Sequence, residues 1–143
     1  GSYDGGREKA PAAACRKVAK VALGAPNTIE MWGDGQQVRS FTYIDDCLNG
    51  TLNLMASDFR EPLNIGSDQS VTIQDLYDTV QEIAGVHEIS YDYDLNAPQG
   101  VRGRSSDNAL CQKILNWSPS TTLRDGLEPT YSWIKEQLLG ELE

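Results

Sequence analysis

Apolar positions along residues 11–24 recur at helical spacing, with Ala14, Val18, Val21 and Ala22 forming a stripe that starts just after Pro11 and stops at Gly24. Proline suits a first helical turn, where its missing N–H breaks no bond. The pattern then shortens. Thr28–Trp32 and Gln37–Tyr43 read as strands flanking Gly33-Asp34-Gly35, a turn whose glycines permit positive φ. Ile44, Leu48, Thr51, Leu52 and Met55 return to one face of a second helix. "PLNIGS" at 62–67 reads as a strand leaving a proline, and Thr72 with Asp75 three residues on caps a helix through Leu76, Val80 and Ile83 to Gly85. "EISYDY" at 88–93 predicts another strand. "SSDNALCQKIL" and "TTLRDGLEPTYSWIKEQLL" predict two closing helices, the last with Leu123, Leu127, Tyr131, Ile134 and Leu138 inward and Pro129 as an expected kink. The fold class expected is a small mixed α/β domain with at least four helices and short strands, lacking a doubly wound parallel sheet. Without a repeat or a domain-sized linker, residues 3–143 read as a single domain, and Gly1-Ser2 as an expression scar.

Charge refines this picture. The formal net charge of −9 disfavours nucleic acid and anionic membranes as partners. It is unevenly placed: residues 1–40 hold six of the twelve Lys and Arg against four acids. A locally basic front on an acidic protein suits a small anionic ligand, with solvated helix-surface cations as the plain alternative. Cys15, Cys47 and Cys111 are far apart, odd in number and without a C-x-x-C, so they read as reduced, buried thiols of a cytoplasmic protein. His87 is the sole histidine and reads as a strand-edge surface residue, so no metal site is expected.

The sequence contains neither G-x-G-x-x-G nor a P-loop. Tyr131 and Lys135 do spell Y-x-x-x-K, but Tyr131 falls on the apolar stripe of the final helix and reads as core. The positive signals are three basic loops. Arg7, Glu8 and Lys9 lead into the helix that carries Lys17; Arg39 follows the glycine turn of "GDGQQVRSFTYIDD"; and Arg102 and Arg104 lie in "GVRGRSSDN" beside Gly100 and Gly103. Guanidinium forks match phosphate oxygens, and glycine-rich loops let backbone approach a ligand, so two such loops could grip a diphosphate from both sides. Each arginine could equally be solvated or paired to a nearby acid.

The order of these segments resembles the C-terminal, substrate-binding domain of extended short-chain dehydrogenases acting on nucleotide sugars, the NAD-dependent epimerases and dehydratases. "GGREKAPAA", "EMWGDG", "SDFREPLNIGSD" and "GVRGRSSDN" resemble, more narrowly, the GDP-mannose 3,5-epimerase branch of that family. In that branch NAD oxidises the sugar at C4, and a lysine and a cysteine on opposite faces move the acidified C3 and C5 protons. The resemblance implies that Lys9 is that catalytic lysine. It also implies that Glu8, Lys9, Ala10, Lys17, Gln37, Val38, Arg39 and Arg104 contact a GDP-mannose-like nucleotide diphosphate sugar. No cofactor-binding residue is expected on this chain, because the family's NAD-binding half, its cysteine and its Y-x-x-x-K precede the stretch that this sequence matches.

Three readings stay open on the sequence: a truncated substrate-binding half that is inactive alone, a stand-alone nucleotide-sugar or phosphate-binding and assembly module, and one part of a complete epimerase. A chain lacking the other half should expose the matching apolar surface, around Ala14, Val18 and Val21 or around Tyr131 and Trp133. It should therefore form a homo-oligomer or take a separate NAD-binding chain as partner.

Overall fold

Three helices turn their apolar stripes toward one seam. In the computed structural model, which describes residues 2–141, α1 (Ala10–Ala22), α3 (Ile73–Ala84) and α5 (Leu123–Gly140) pack on one another and on β1 (Thr28–Trp32). Val18, Met31, Leu76, Val80 and Ile134 are fully buried at that seam. Each such side chain contributes about 1.5–3 kcal/mol when removed from water, so this cluster holds the elements that carry the candidate loops in place. The ends of α3 match the sequence signals. Thr72 accepts from the Asp75 N–H at 2.9 Å and the Thr72 N–H donates to Asp75 Oδ2 at 2.9 Å, while Gly85 closes the helix at φ 65°. Thr122 caps α5 in a related way, and α5 runs on through Pro129.

The strands form two small sheets. β1 pairs in parallel with β4 (Ser90–Asp94), and β2 (Val38–Ser40) lies between antiparallel β3 (Ser70–Thr72) and parallel β5 (Gly103–Arg104). The expected mixed α/β fold is what the structure has, with no doubly wound sheet among the described residues. Several strand expectations need correction. The strand expected over Gln37–Tyr43 ends at Ser40, because Tyr43 becomes the N-cap residue of α2 (Ile44–Ala56). "EISYDY" pairs only from Ser90, since Glu88 takes a left-handed φ of 63°. "PLNIGS" forms no strand. Side chains hold it instead, with Asn64 Nδ2 donating to the Asp107 carbonyl at 3.3 Å and Asn108 Nδ2 to the Gly66 carbonyl at 2.9 Å.

α2 departs from the other long helices. Its apolar face points outward, with Ile44 58%, Leu48 52%, Leu52 62% and Met55 74% exposed. The inward face is polar and small. Asp46 accepts from the Ser120 N–H and hydroxyl at 3.2 Å each and from the Thr121 N–H at 2.9 Å. Burial pushes the Asp46 carboxyl up, but these bonds outweigh it and leave it below the usual carboxylate range. One turn on, a Cβ at Gly50 would lie 2.7 Å from Ile65 and 2.9 Å from the Trp117 ring, so only glycine lets α2 approach that closely. Trp117 Nε1 completes the attachment by donating to Asn49 Oδ1 at 2.9 Å. The surfaces expected to be bare are instead core: Ala14, Val18 and Tyr131 are buried, and of the named residues only Trp133 is markedly exposed.

Candidate functional site

The pairing of β2 with β5 sets Arg39 opposite Arg104. In-register residues of parallel strands point to the same face, and neighbouring strands lie about 4.8 Å apart, so two guanidinium groups share one side of this sheet. Arg39 is pre-oriented: Nη1 donates to the Val38 carbonyl at 2.7 Å and Nη2 to the Gln99 carbonyl at 3.3 Å, beside Gly100 at φ 67°. Arg104 is exposed and makes no hydrogen bond or ion pair among the described residues. Val38 lies on the opposite face of β2, where its Cβ is 3.9 Å from a Cβ built at Gly103.

Arg102, a third cation of the same loops, is not free. It donates to Asp34 Oδ1 and Oδ2 at 3.0 and 2.7 Å, and its own carbonyl accepts from the Val38 N–H at 2.9 Å. Asp34 also accepts from the Gln36 N–H at 2.9 Å. Arg102, then that N–H, hold the Asp34 carboxyl below its usual range. This pair staples the glycine turn to the start of β5 and so supports the register that puts Arg104 beside Arg39. Nothing in the composition of "GDG" or "GVRGR" pairs those two residues. Only the sheet does.

Lys17 and Gln37 both bond carbonyls of β1. Gln37 is 4% exposed, and its Nε2 donates to the Trp32 carbonyl at 3.1 Å while its Oε1 is buried without a partner. The side chain fills the notch of Gly33, where a Cβ would lie 1.8 Å from Nε2. Lys17 Nζ donates to the Glu30 carbonyl at 2.6 Å. Burial lowers the Lys17 ammonium from its ordinary value, and the nearby Glu30 carboxylate opposes part of that. Both side chains therefore engage the edge of β1 that faces away from β4.

The loop ahead of α1 turns on Gly5 and Gly6, at φ 87° and 77°. Lys9 is the N-cap residue of α1, exposed and without an ion pair among the described residues, and Ala10 begins the helix with its side chain against the core. Glu8 is turned away from Lys9 and accepts from Arg16 Nη2 at 2.6 Å. Lys9 and Lys17 are two turns apart on α1, about 12 Å along the axis. No hydrogen bond or ion pair among the described residues joins Lys9 to Arg39 or Arg104. A hollow of about 600 Å³ lies elsewhere, between Ser67, Ser106, Asn108, Gln112 and Ser120, and contains none of the sequence-predicted residues.

The cysteines differ in burial. Burial pushes the Cys15 thiol up to about 12, which makes it an inert core group. Cys111 is also buried, and Cys47 is only half-buried. Tyr131 is core and His87 is exposed. No helix among the described residues is long and apolar enough to cross a membrane, and no cluster of three or more of their His, Cys, Asp or Glu side chains is placed to hold a metal ion.

Two arginines side by side on a short sheet are an arrangement suited to an anionic ligand. The sequence pattern of the GDP-mannose 4,6 dehydratase family matches residues 3–130. The chain belongs to that family. Within the GDP-mannose 4,6 dehydratase family and its relatives, the chain is similar to GDP-mannose 3,5-epimerase 1 of Oryza sativa subsp. indica, with 49% identity over 142 residues. That match covers 96% of this chain and 35% of the rice protein, so the chain spans about a third of the length of the curated relatives it matches. In fold it is similar to RMD from Pseudomonas aeruginosa complexed with NADPH, at a TM-score of 0.82 and 23% identity, covering 92% of this chain and 45% of that one. It is also similar to the UDP-glucose 4-epimerase of Thermotoga maritima with UDP-glucose, at a TM-score of 0.78 and 25% identity, covering 93% of this chain and 41% of that one. Matches to the family therefore extend beyond this chain on the relatives' side. The residues described here carry neither a glycine fingerprint nor a parallel sheet wide enough to hold NAD, so they do not fit that cofactor.

Proposed function

We propose that this chain is the substrate-binding part of a nucleotide-sugar epimerase of the GDP-mannose 3,5-epimerase type, and that by itself it binds its ligand without catalysing a reaction. The observation that carries this reading is the register of Arg39 with Arg104, two guanidinium forks on one face of the sheet. They bind the diphosphate of a GDP-mannose-like ligand. Glycine-hinged and unpaired, Lys9 faces the hexose and accepts or returns a proton at a carbon beside a carbonyl. Val38 and Ala10 contribute backbone, and Lys17 and Gln37 reach the ligand only by leaving β1. Residues 3–143 act as one substrate-binding domain in a cytoplasmic setting, which the free thiols support.

The outward face of α2 supports an association reading. A row of four apolar side chains on a helix held from behind by Asp46 and Gly50 is the surface through which we place homo-oligomerisation, with a separate NAD-binding chain as the alternative occupant.

The test of binding without catalysis is GDP-mannose with NAD in D₂O, followed by NMR. Ligand resonances should shift with added chain while no deuterium enters at C3 or C5. Residues that act as a unit lose nearly all activity together. Incorporation that disappears in Lys9→Ala would refute the inactive state, and unshifted ligand resonances would remove the binding role.

A further inference from the structure

We propose that Arg16 is the positioning residue of the Lys9 loop, and that Glu8 serves the site by giving its carboxylate to Arg16 rather than to the ligand. The inference deepens the proposed function and rests on its reading of Lys9 as the amine that faces the sugar.

The loop has little else to define its shape. Gly5 and Gly6 both take positive φ, a conformation glycine enters freely and leaves as freely. Lys9 occupies the N-cap position of α1 without a side-chain cap bond, and the first turn of the helix holds no acid. Against this, Arg16 reaches back from the second turn of α1 to both sides of the hinge. Its Nη2 bonds Glu8 Oε1 at 2.6 Å, and its Nη1 lies 3.5 Å from Asp4 Oδ1. One guanidinium thus ties the chain before and after the two glycines to a helix that is itself packed into the core.

The same contact decides what Glu8 can do. Its side chain is 7% exposed and that of Arg16 15%. Glu8 Oε2 and Arg16 Nε are both buried without partners, so the pair is joined through one of its two possible legs. Turning this largely buried carboxylate out to a ligand at the surface would draw it from Arg16 and leave the guanidinium with Asp4 alone, an unfavourable change. Backbone N–H groups of the loop and the Arg16 guanidinium also hold the Glu8 carboxyl below its ordinary range, as a carboxylate with structural partners should be. A second consequence concerns its neighbour. With Glu8 engaged by Arg16, the Lys9 amine next to it in sequence has no carboxylate to pair with and stays available at the surface.

The test uses this chain, with backbone amide exchange of residues 5–9 and the rate of reductive methylation of Lys9 relative to exposed Lys20. In Arg16→Ala the loop amides should exchange about tenfold faster or more, as expected when a local restraint is removed. The freed Glu8 should pair with Lys9, so the Lys9-to-Lys20 rate ratio should fall. Arg16→Ala with Glu8→Gln should restore the ratio but not the loop protection, and Arg16→Lys should keep most of both. Unchanged exchange and an unchanged ratio in Arg16→Ala would overturn the proposal. Should that variant not fold, Glu8→Gln decides: it should speed loop exchange while leaving GDP-mannose affinity within about threefold of wild type, the range of a weak surface effect. A tenfold affinity loss in Glu8→Gln with the loop still protected would mean that Glu8 contacts the ligand directly, and the proposal fails. If instead Lys9→Ala leaves GDP-mannose affinity unchanged and ligand leaves the methylation rate of Lys9 in the wild type unchanged, the reading of the site fails while the clamp stands.

Discussion

Alanine at Arg39 and at Arg104, singly and together, should weaken GDP-mannose binding by unequal amounts that do not multiply. Each guanidinium offers charge-assisted bonds to phosphate, worth on the order of 1.5–3 kcal/mol, which corresponds to roughly 10- to 100-fold in affinity. The structure separates the two. Arg39 is already held by the carbonyls of Val38 and Gln99 and loses little freedom when ligand arrives. Arg104 has no partner among the described residues and must be immobilised, at a cost of about 0.5–1.5 kcal/mol. Arg39→Ala should therefore fall toward the 100-fold end and Arg104→Ala toward the 10-fold end, on the same estimate. In the empty site the two cations repel by roughly 0.5 kcal/mol through water, and either alanine relieves that, so the double variant should lose less than the product of the singles. Arg39→Lys keeps the charge but not the fork and should recover only part of the affinity. Titration calorimetry with GDP-mannose, repeated at raised salt, measures all four variants. Equal affinity in wild type and double variant would remove both residues from the site, and a larger loss at Arg104 than at Arg39 would refute the argument from pre-orientation.

Asp34→Asn should loosen β5 and weaken the same ligand a few-fold, as an exposed ion pair allows; exchanging the charges at Asp34 and Arg102 should restore it, which calorimetry on the paired variants would show. Asp46→Ala leaves the Ser120 and Thr121 donors without their acceptor and should cost about 1–3 kcal/mol in urea denaturation. The Asp46 carboxyl is lowered in the folded state, so its stabilisation should be fully present above the ordinary carboxylate range and should fade as pH drops through the lowered folded value; a wild-type advantage over Asp46→Ala that does not shrink at low pH would contradict this. Leu48→Glu with Leu52→Glu should reduce the mass seen by light scattering across a concentration series, and a wild type that is monomeric throughout would show that the α2 face needs no cover.

Helix signals were the most legible part of the sequence, because caps and stripes are local. Thr72, Asp75 and Gly85 bound α3 as their residue types require, and Leu127, Tyr131, Ile134 and Leu138 face the core as their spacing requires. The stripe of α2 had the same spacing and the opposite fate. Periodicity says that one face is apolar, and it cannot say whether this chain supplies the surface that face meets. Short strands were the least legible: β5 is two residues long and exists through its neighbour β2. For the site, the sequence offers Arg39 and Arg104 as separate cations in two loops, and their adjacency is a fact of the sheet. The anchoring of Lys17, Gln37 and Glu8 depends on carbonyls and guanidinium groups that the linear pattern does not bring together.

Lys17 and Gln37 also bear on how the molecule keeps to itself. Among the described residues β1 has one neighbour, and its other edge would present the carbonyls of Glu30 and Trp32 to any passing extended segment. Such an edge is a template for strand addition and aggregation. The ammonium and the amide occupy those two acceptors, closing the edge with side chains where another strand would otherwise lie. A ligand that drew Lys17 away would reopen half of that edge, so occupancy at this surface and resistance to self-templating act through the same few atoms.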